Sequence, residues 1–266
     1  MHLNYRQKEN GMYILSRDDM DEIAKMILDK YMPQVLNNPV SVNTSYLAEE
    51  YYGLLIEKRN ITKDKSILGL ISFGPNKLSF YDKEMQPIEE YVDDGTMFID
   101  LSLSEEQQRA RYRFTITHEL AHWLIHRSYH SATNQQYQLR KYNPKGFIAP
   151  KAPNYIACRS VNIEKGGRVS GEMNDSDWEE WQADNLAAAI LMPKETFHWA
   201  ALNALKYADV NGSYVYINGS NSINSKKKMM ILDFVAKTYE VSYQAAHIRL
   251  EQLRYFRTVT RGILSY

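Results

Sequence analysis

Apolar residues recur at helical spacing in "RDDMDEIAKMILDKYM", directly after Ser16 and directly before Pro33, which predicts an amphipathic helix capped by Ser16. "TSYLAEEYYG" (44–53) predicts a second, short helix with Gly53 near its C-terminus. The pattern then shifts. "GLLIEKRNI", "ILGLISFG", "KLSFYD" and "GTMFIDLS" read as strands separated by turn residues. The last of these, Thr96 to Leu101, leads into a long helix predicted to start near Ser104, with Gln107 as its capping-box partner, and to run to about Arg127. A polar connection rich in Gly, Pro, Asn and Ser follows, in which "IACRSVNI" reads as a strand. An acidic cap around Asp177 then opens a helix over "WEEWQADNLAAAILM", closed by Pro193. The final third predicts a hairpin at "SYVYINGSN" and two helices, over about 227 to 238 and 242 to 256.

The long helix carries the chemistry. "TITHELAHWLIHRSYH" (115–130) places His118, His122, His126 and His130 four residues apart. His118-Glu119-Leu120-Ala121-His122 is an HExxH pattern, and a spacing of four sets both imidazoles on one helix face, able to converge on a Zn²⁺ ion. Glu119, one step round the helix, is placed to reach water at the metal and suits a general base. His126 and His130 lie too far along a straight helix to share that ion and read as core-edge or surface side chains, with His126 able to pack or hydrogen-bond near the site. A third ligand must come from elsewhere. Glu180 on the second helix has Asp184 four residues on and Ala183 and Ala187 beside it. This predicts Glu180 as ligand and Asp184 as acceptor of a ligating histidine's free ring N–H, assigned to His118 with His122 left open. Glu179 is the rival ligand, and an acidic first turn that merely suits the helix dipole is the plain alternative.

"RFTITHELAHWLIH" followed by "EWQADNLAAAILMP" resembles the ImmA/IrrE family of metallo-endopeptidases. Phe114-Thr115 before the site, Leu191-Met192-Pro193 after it and "VSYQAAHIRLEQL" near the C-terminus fit the same pattern. The resemblance implies zinc on His118, His122 and Glu180, Glu119 as the catalytic carboxylate, and a repressor of phage or stress-response type as protein substrate. Two features depart from the pattern: the connection between the site helices is long, and no sensory domain follows the last helix. The expected fold is α+β, a zincin-like single metallopeptidase domain over 1–266 with a small antiparallel or mixed sheet packed on the HExxH helix. Residues 1–103 would hold N-terminal helices and sheet, 104–193 the metal-site helices with their connection, and 194–266 the hairpin and C-terminal helices. Strand 96 to 101 is expected at the edge of the cleft, where an extended substrate could add.

Composition narrows the alternatives. Lys plus Arg and Asp plus Glu both number 32, so the formal charge is zero, which argues against a life on nucleic acid. The rival reading as a helix-turn-helix regulator rests on "ILDFVAKTYEVSYQAAHIRLEQLRYF", with Arg249, Arg254, Arg257 and Arg261 offered to phosphates. Against it stands a helical hairpin burying Val241, Leu250, Leu253 and Phe256. A third reading is a zinc-holding regulator that acts without cutting. Lys226, Lys227 and Lys228 read as a solvated helix start, and Trp123, Trp178, Trp181 and Trp199 as core packing around the site helices. The longest apolar run, "LAAAILM", cannot span a bilayer, and the N-terminus lacks a signal-peptide core, so a cytoplasmic location is expected. Cys158, the single cysteine, rules out an internal disulfide. It could approach the metal as an inhibitory thiolate; a buried or incidental thiol is the favoured reading.

Overall fold

Ser16 caps the first helix as the pattern predicts. Its hydroxyl accepts from the Asp19 backbone N–H while the Asp19 carboxylate reaches back, and α1 (Arg17–Tyr31) buries Met20, Ile23, Ile27 and Leu28. The computed structural model describes residues 3–8, 11–130, 155–159 and 173–259. A one-turn α2 (Thr44–Tyr46) runs on into a π turn, Leu47–Tyr51, and Gly53 follows with φ +65°.

The central sheet is mixed. β1 (Leu55–Arg59) lies parallel to β5 (Thr96–Asp100), whose other side is antiparallel to β2 (Ile67–Ser72). β6 (Tyr155–Arg159) adds antiparallel to β2, giving the order β1-β5-β2-β6. Strand 96–101 is therefore flanked on both sides and offers no edge to a substrate, contrary to expectation. β3 (Asn76–Tyr81) and β4 (Pro87–Val92) form a separate hairpin. The sequence pattern passed over β4 because it begins with proline and alternates half-buried with exposed positions, including Glu89 and Glu90. Of "IACRSVNI", the residues after Arg159 lie outside the described residues, as does most of the connection between the site helices.

The metal-motif helix also starts later than predicted. The Asp100 side chain accepts from the Ser102 N–H at 3.0 Å and starts a 3-10 turn, Leu101–Ser104, with a second over Glu106–Gln108. Only then does α3 (Arg109–His130) begin, so Ser104 ends a turn instead of capping the helix. α4 (Asp175–Leu191) is capped by Asn174, with Asp177 as the reciprocal partner, and Pro193 becomes the N-cap of α5 (Lys194–Tyr207). α6 (Ser225–Tyr239) and α7 (Tyr243–Gln252) complete the helices. The expected hairpin at 213–221 is absent: β7 (Val215–Tyr216) pairs in parallel with β8 (Phe256–Arg257). Val215 and Phe256 both enter the core formed by α5, α6 and α7, so packing overrides the local turn signal.

α3 runs between the sheet and α4, burying Ile116, Leu120, Ala121 and Ile125. On α4 the facing Ala183 and Ala187 are fully buried, and their short side chains let the two helices approach closely. The C-terminal hairpin buries Val241, Leu250 and Phe256, with Leu253 packed at the margin. Arg249 is also buried, donating to Asp21 Oδ1 at 2.5 Å and to the Met192 carbonyl at 3.1 Å, which withdraws it from any phosphate. Trp178 and Trp181 stack on each other, and Trp123 stacks on Phe73. Trp199 is 68% exposed and packs around neither site helix, because it lies on the outer face of α5. No helix among the described residues is long and apolar enough to cross a membrane.

Candidate metal centre

Helical spacing brings His118 and His122 together as predicted: their Nε2 atoms lie 2.9 Å apart, both rings fully buried. Glu180 reaches across from α4, with Oε2 3.5 Å from His118 Nε2 and Oε1 3.5 Å from His122 Nε2. Asp184, one turn further along α4, places Oδ1 3.0 Å from His118 Nδ1. Of the two histidines, His118 is the one that Asp184 contacts. Glu179 points elsewhere and meets His130 Nε2 at 2.5 Å.

His126 is no surface residue. Fully buried, it belongs to a relay that fixes the protons of the site. The Gln182 amide donates through Nε2 to the Tyr13 carbonyl at 2.7 Å, so its Oε1 accepts from His126 Nε2 at 2.9 Å. His126 Nδ1 is then unprotonated and accepts from His122 Nδ1, also at 2.9 Å. This leaves His122 Nε2 as a lone pair. On the other side Asp184 takes the Nδ1–H of His118, turning that ring's Nε2 toward the same point.

Two ring nitrogens and a carboxylate that converge in this way require a cation between them. Without a metal, a proton serves. Burial opposes charge on His118, but the Cys158 sulfur and the Asp184 carboxylate hold its pKa well above the ordinary value. Burial pushes His122 down to about 4, and although burial also opposes charge on Glu180, the two histidines beside it keep it ionised. The donor set fits a borderline-soft divalent ion. Two nitrogens each 2.0–2.1 Å from one tetrahedral ion would stand roughly 3.3 Å apart, close to the observed separation.

Glu119 is fully buried, and neither carboxylate oxygen has a hydrogen-bond partner among the described residues. Burial raises its pKa to about 8. It lies against β2 at Gly69, where an added Cβ would come within 2.5 Å of both Glu119 Oε1 and Thr115 Cγ2. Gly69 is a residue the sequence reading missed, and a glycine inside an apolar strand run was its one signal. Gly69→Ala is expected to destabilise the protein by about 1–3 kcal/mol, because Thr115 is short and fixed to α3. A urea midpoint equal to that of the unaltered chain would show that the helix gives way freely.

The buried relay makes stability depend on acid. Burial lowers the His126 pKa to about 3, so the unfolded chain takes up this proton near 6.5 while the folded chain refuses it. This contribution is present in full above pH 6.5 and is lost as pH falls toward 3, at about 1.4 kcal/mol per unit, or about 2 kcal/mol by pH 5. In metal-free protein, urea unfolding of His126→Gln should fall more gently between pH 7 and pH 5. Equal slopes would mean that His126 takes up its proton without unfolding.

The family model of the IrrE N-terminal-like domain, Peptidase_M78, matches residues 162–251. That stretch is similar to the ImmA/IrrE metallopeptidases. The matched stretch takes in the Glu180 and Asp184 helix and both closing helices and leaves α3 outside it. A search of curated proteins finds no match. The described side chains also bring Cys158 to the centre: its sulfur, a His118 nitrogen and a Glu180 oxygen all lie within 4.8 Å of one another.

Proposed function

We propose that this metallopeptidase is a zinc-dependent endopeptidase in which His118, His122 and Glu180 hold the metal and Glu119 is the catalytic carboxylate. The observation that carries this reading is the convergence of the His118 and His122 Nε2 atoms and the ionised Glu180, each imidazole tied off behind by Asp184 or by the His126–Gln182 relay. Zinc, when bound, supplies a Lewis acid that polarises a peptide carbonyl and makes water acidic near neutral pH. Glu119 does the proton work: its carboxylate takes the proton of the attacking water and hands it to the leaving amine. The nearby dication would favour the ionised form of Glu119 that this base needs, against the upward push of burial. Asp184 orients His118 by accepting its Nδ1–H, and loss of such a partner typically costs 10–100-fold in metal affinity.

The substrate we infer is a repressor-like regulatory protein, which the family resemblance supports. Zinc-loaded protein is to be incubated with the repressor encoded beside its own gene and followed by intact mass. Two new fragments, suppressed by a chelator, are expected. Hydrolysis of an unrelated unfolded protein with every such repressor left whole would remove the repressor assignment alone. No hydrolysis of anything at full zinc loading would remove the peptidase.

A further inference from the structure

Cys158 sits on the strand that occupies the place an extended substrate would need. A peptide can pair with a sheet only at an unpaired strand edge. Beside α3 that edge belongs to β2, and β6 already fills it over Ser72↔Tyr155, Ile71↔Ile156, Leu70↔Ala157 and Gly69↔Cys158. Residues opposite each other in an antiparallel ladder project from the same face. Gly69 faces Glu119 closely enough for a Cβ to collide with it, so Cys158 is aimed at that same helix surface. Its neighbours alternate accordingly: Ile156 packs with the α3 side of the sheet, while Tyr155 and Ala157 join the apolar cluster on the other side. The thiol is fully buried, and its sulfur lies within 4.8 Å of ligand atoms of both His118 and Glu180. Beneath the same two strands, Glu119 is sealed from solvent with both oxygens unpartnered.

We propose that Cys158 is a fourth metal ligand, carried on an internal strand that mimics bound substrate, so that this arrangement is the latent form of the peptidase. The inference rests on the metal centre of the preceding section. Thiolate is a strong ligand for zinc, and a site with four protein ligands is closed, whereas catalysis needs three and an open position. Formation of the sulfur–metal bond releases the thiol proton to the solvent, as thiolate ligation requires. Activity then requires β6 to leave β2, an event that frees the fourth position, the Glu119 carboxylate and the strand edge together. One movement opens all three.

Cobalt(II) distinguishes the possibilities without any substrate. The full chain, prepared metal-free in thiol-free buffer, is loaded with Co²⁺ and followed by absorbance and metal analysis. Because Cys158 is the only cysteine, a near-ultraviolet thiolate-to-cobalt band can come from no other residue of the chain. One equivalent of cobalt with that band is expected in the unaltered protein, and Cys158→Ser should keep the cobalt and lose the band. Stoichiometric cobalt without the band in the unaltered protein overturns the fourth ligand and leaves the three-ligand centre standing. Failure of the unaltered protein to bind cobalt overturns both. The first measurement needs no variant, so misfolding of Cys158→Ser cannot blur it.

Discussion

Replacing Glu119 with glutamine is expected to lower peptide hydrolysis by about 10²–10⁴-fold while metal content stays at one equivalent. Glutamine keeps the shape of the side chain but can accept no proton. The carboxylate it replaces has no side-chain hydrogen-bond partner among the described residues, and an amide oxygen in its place can still face the Cys158 backbone beside it. Folding should suffer little for a second reason. Burial holds Glu119 near a pKa of about 8, above its unfolded value, so its ionisation weakens the metal-free fold as pH rises through that range. The amide removes that penalty. Metal analysis, urea unfolding and a hydrolysis rate on the same preparations make the comparison. If Glu119→Gln and the unaltered chain change a repressor's behaviour equally, the protein acts by binding, and the catalytic account fails.

Glu180→Ala should do more to the metal than any change behind the ligands. The carboxylate is the anionic member of the set, 3.5 Å from each Nε2, and it comes from a different helix than the imidazoles. Its removal leaves a buried dication facing two neutral rings, a costly arrangement in a low-dielectric site. Zinc affinity, read by competition with a chelator, should drop by more than the 10–100-fold expected for Asp184→Asn. Similar losses for the two variants would mean that Glu180 orients the site without holding the ion.

The residues that the sequence reading brought to the centre are those fixed by helix geometry alone. His118 and His122 share a face because they are four apart, and the same rule joins Glu180 to Asp184 on α4. Ala183 and Ala187 marked the face by which α4 meets α3, since only small side chains suit close contact. What escaped depends on pairing between distant segments. Nothing local says that Gly69 stands opposite Cys158, or that Val215 pairs in parallel with Phe256. His126 reads from the sequence as a core-edge or surface residue able to hydrogen-bond near the site, and its partner, Gln182, goes unnamed because it lies 56 residues away on another helix. Strand 96–101 looked like an edge because a strand's pattern does not reveal its neighbours. The start of α3 was misread for a local reason: Asp100 captures the turn before Ser104 can cap anything.

Arg249 lies far from His118 and His122 in sequence yet holds the end of α4. Its guanidinium joins Asp21 near the beginning of the polypeptide to the carbonyl of Met192, just past the last turn of α4. During synthesis, then, the helix bearing Glu180 and Asp184 emerges long before the clamp on its far end. Until α7 has been made and seated, the far end of α4 lacks this anchor, and the packing of α4 on α3 holds Glu180 opposite His118 and His122.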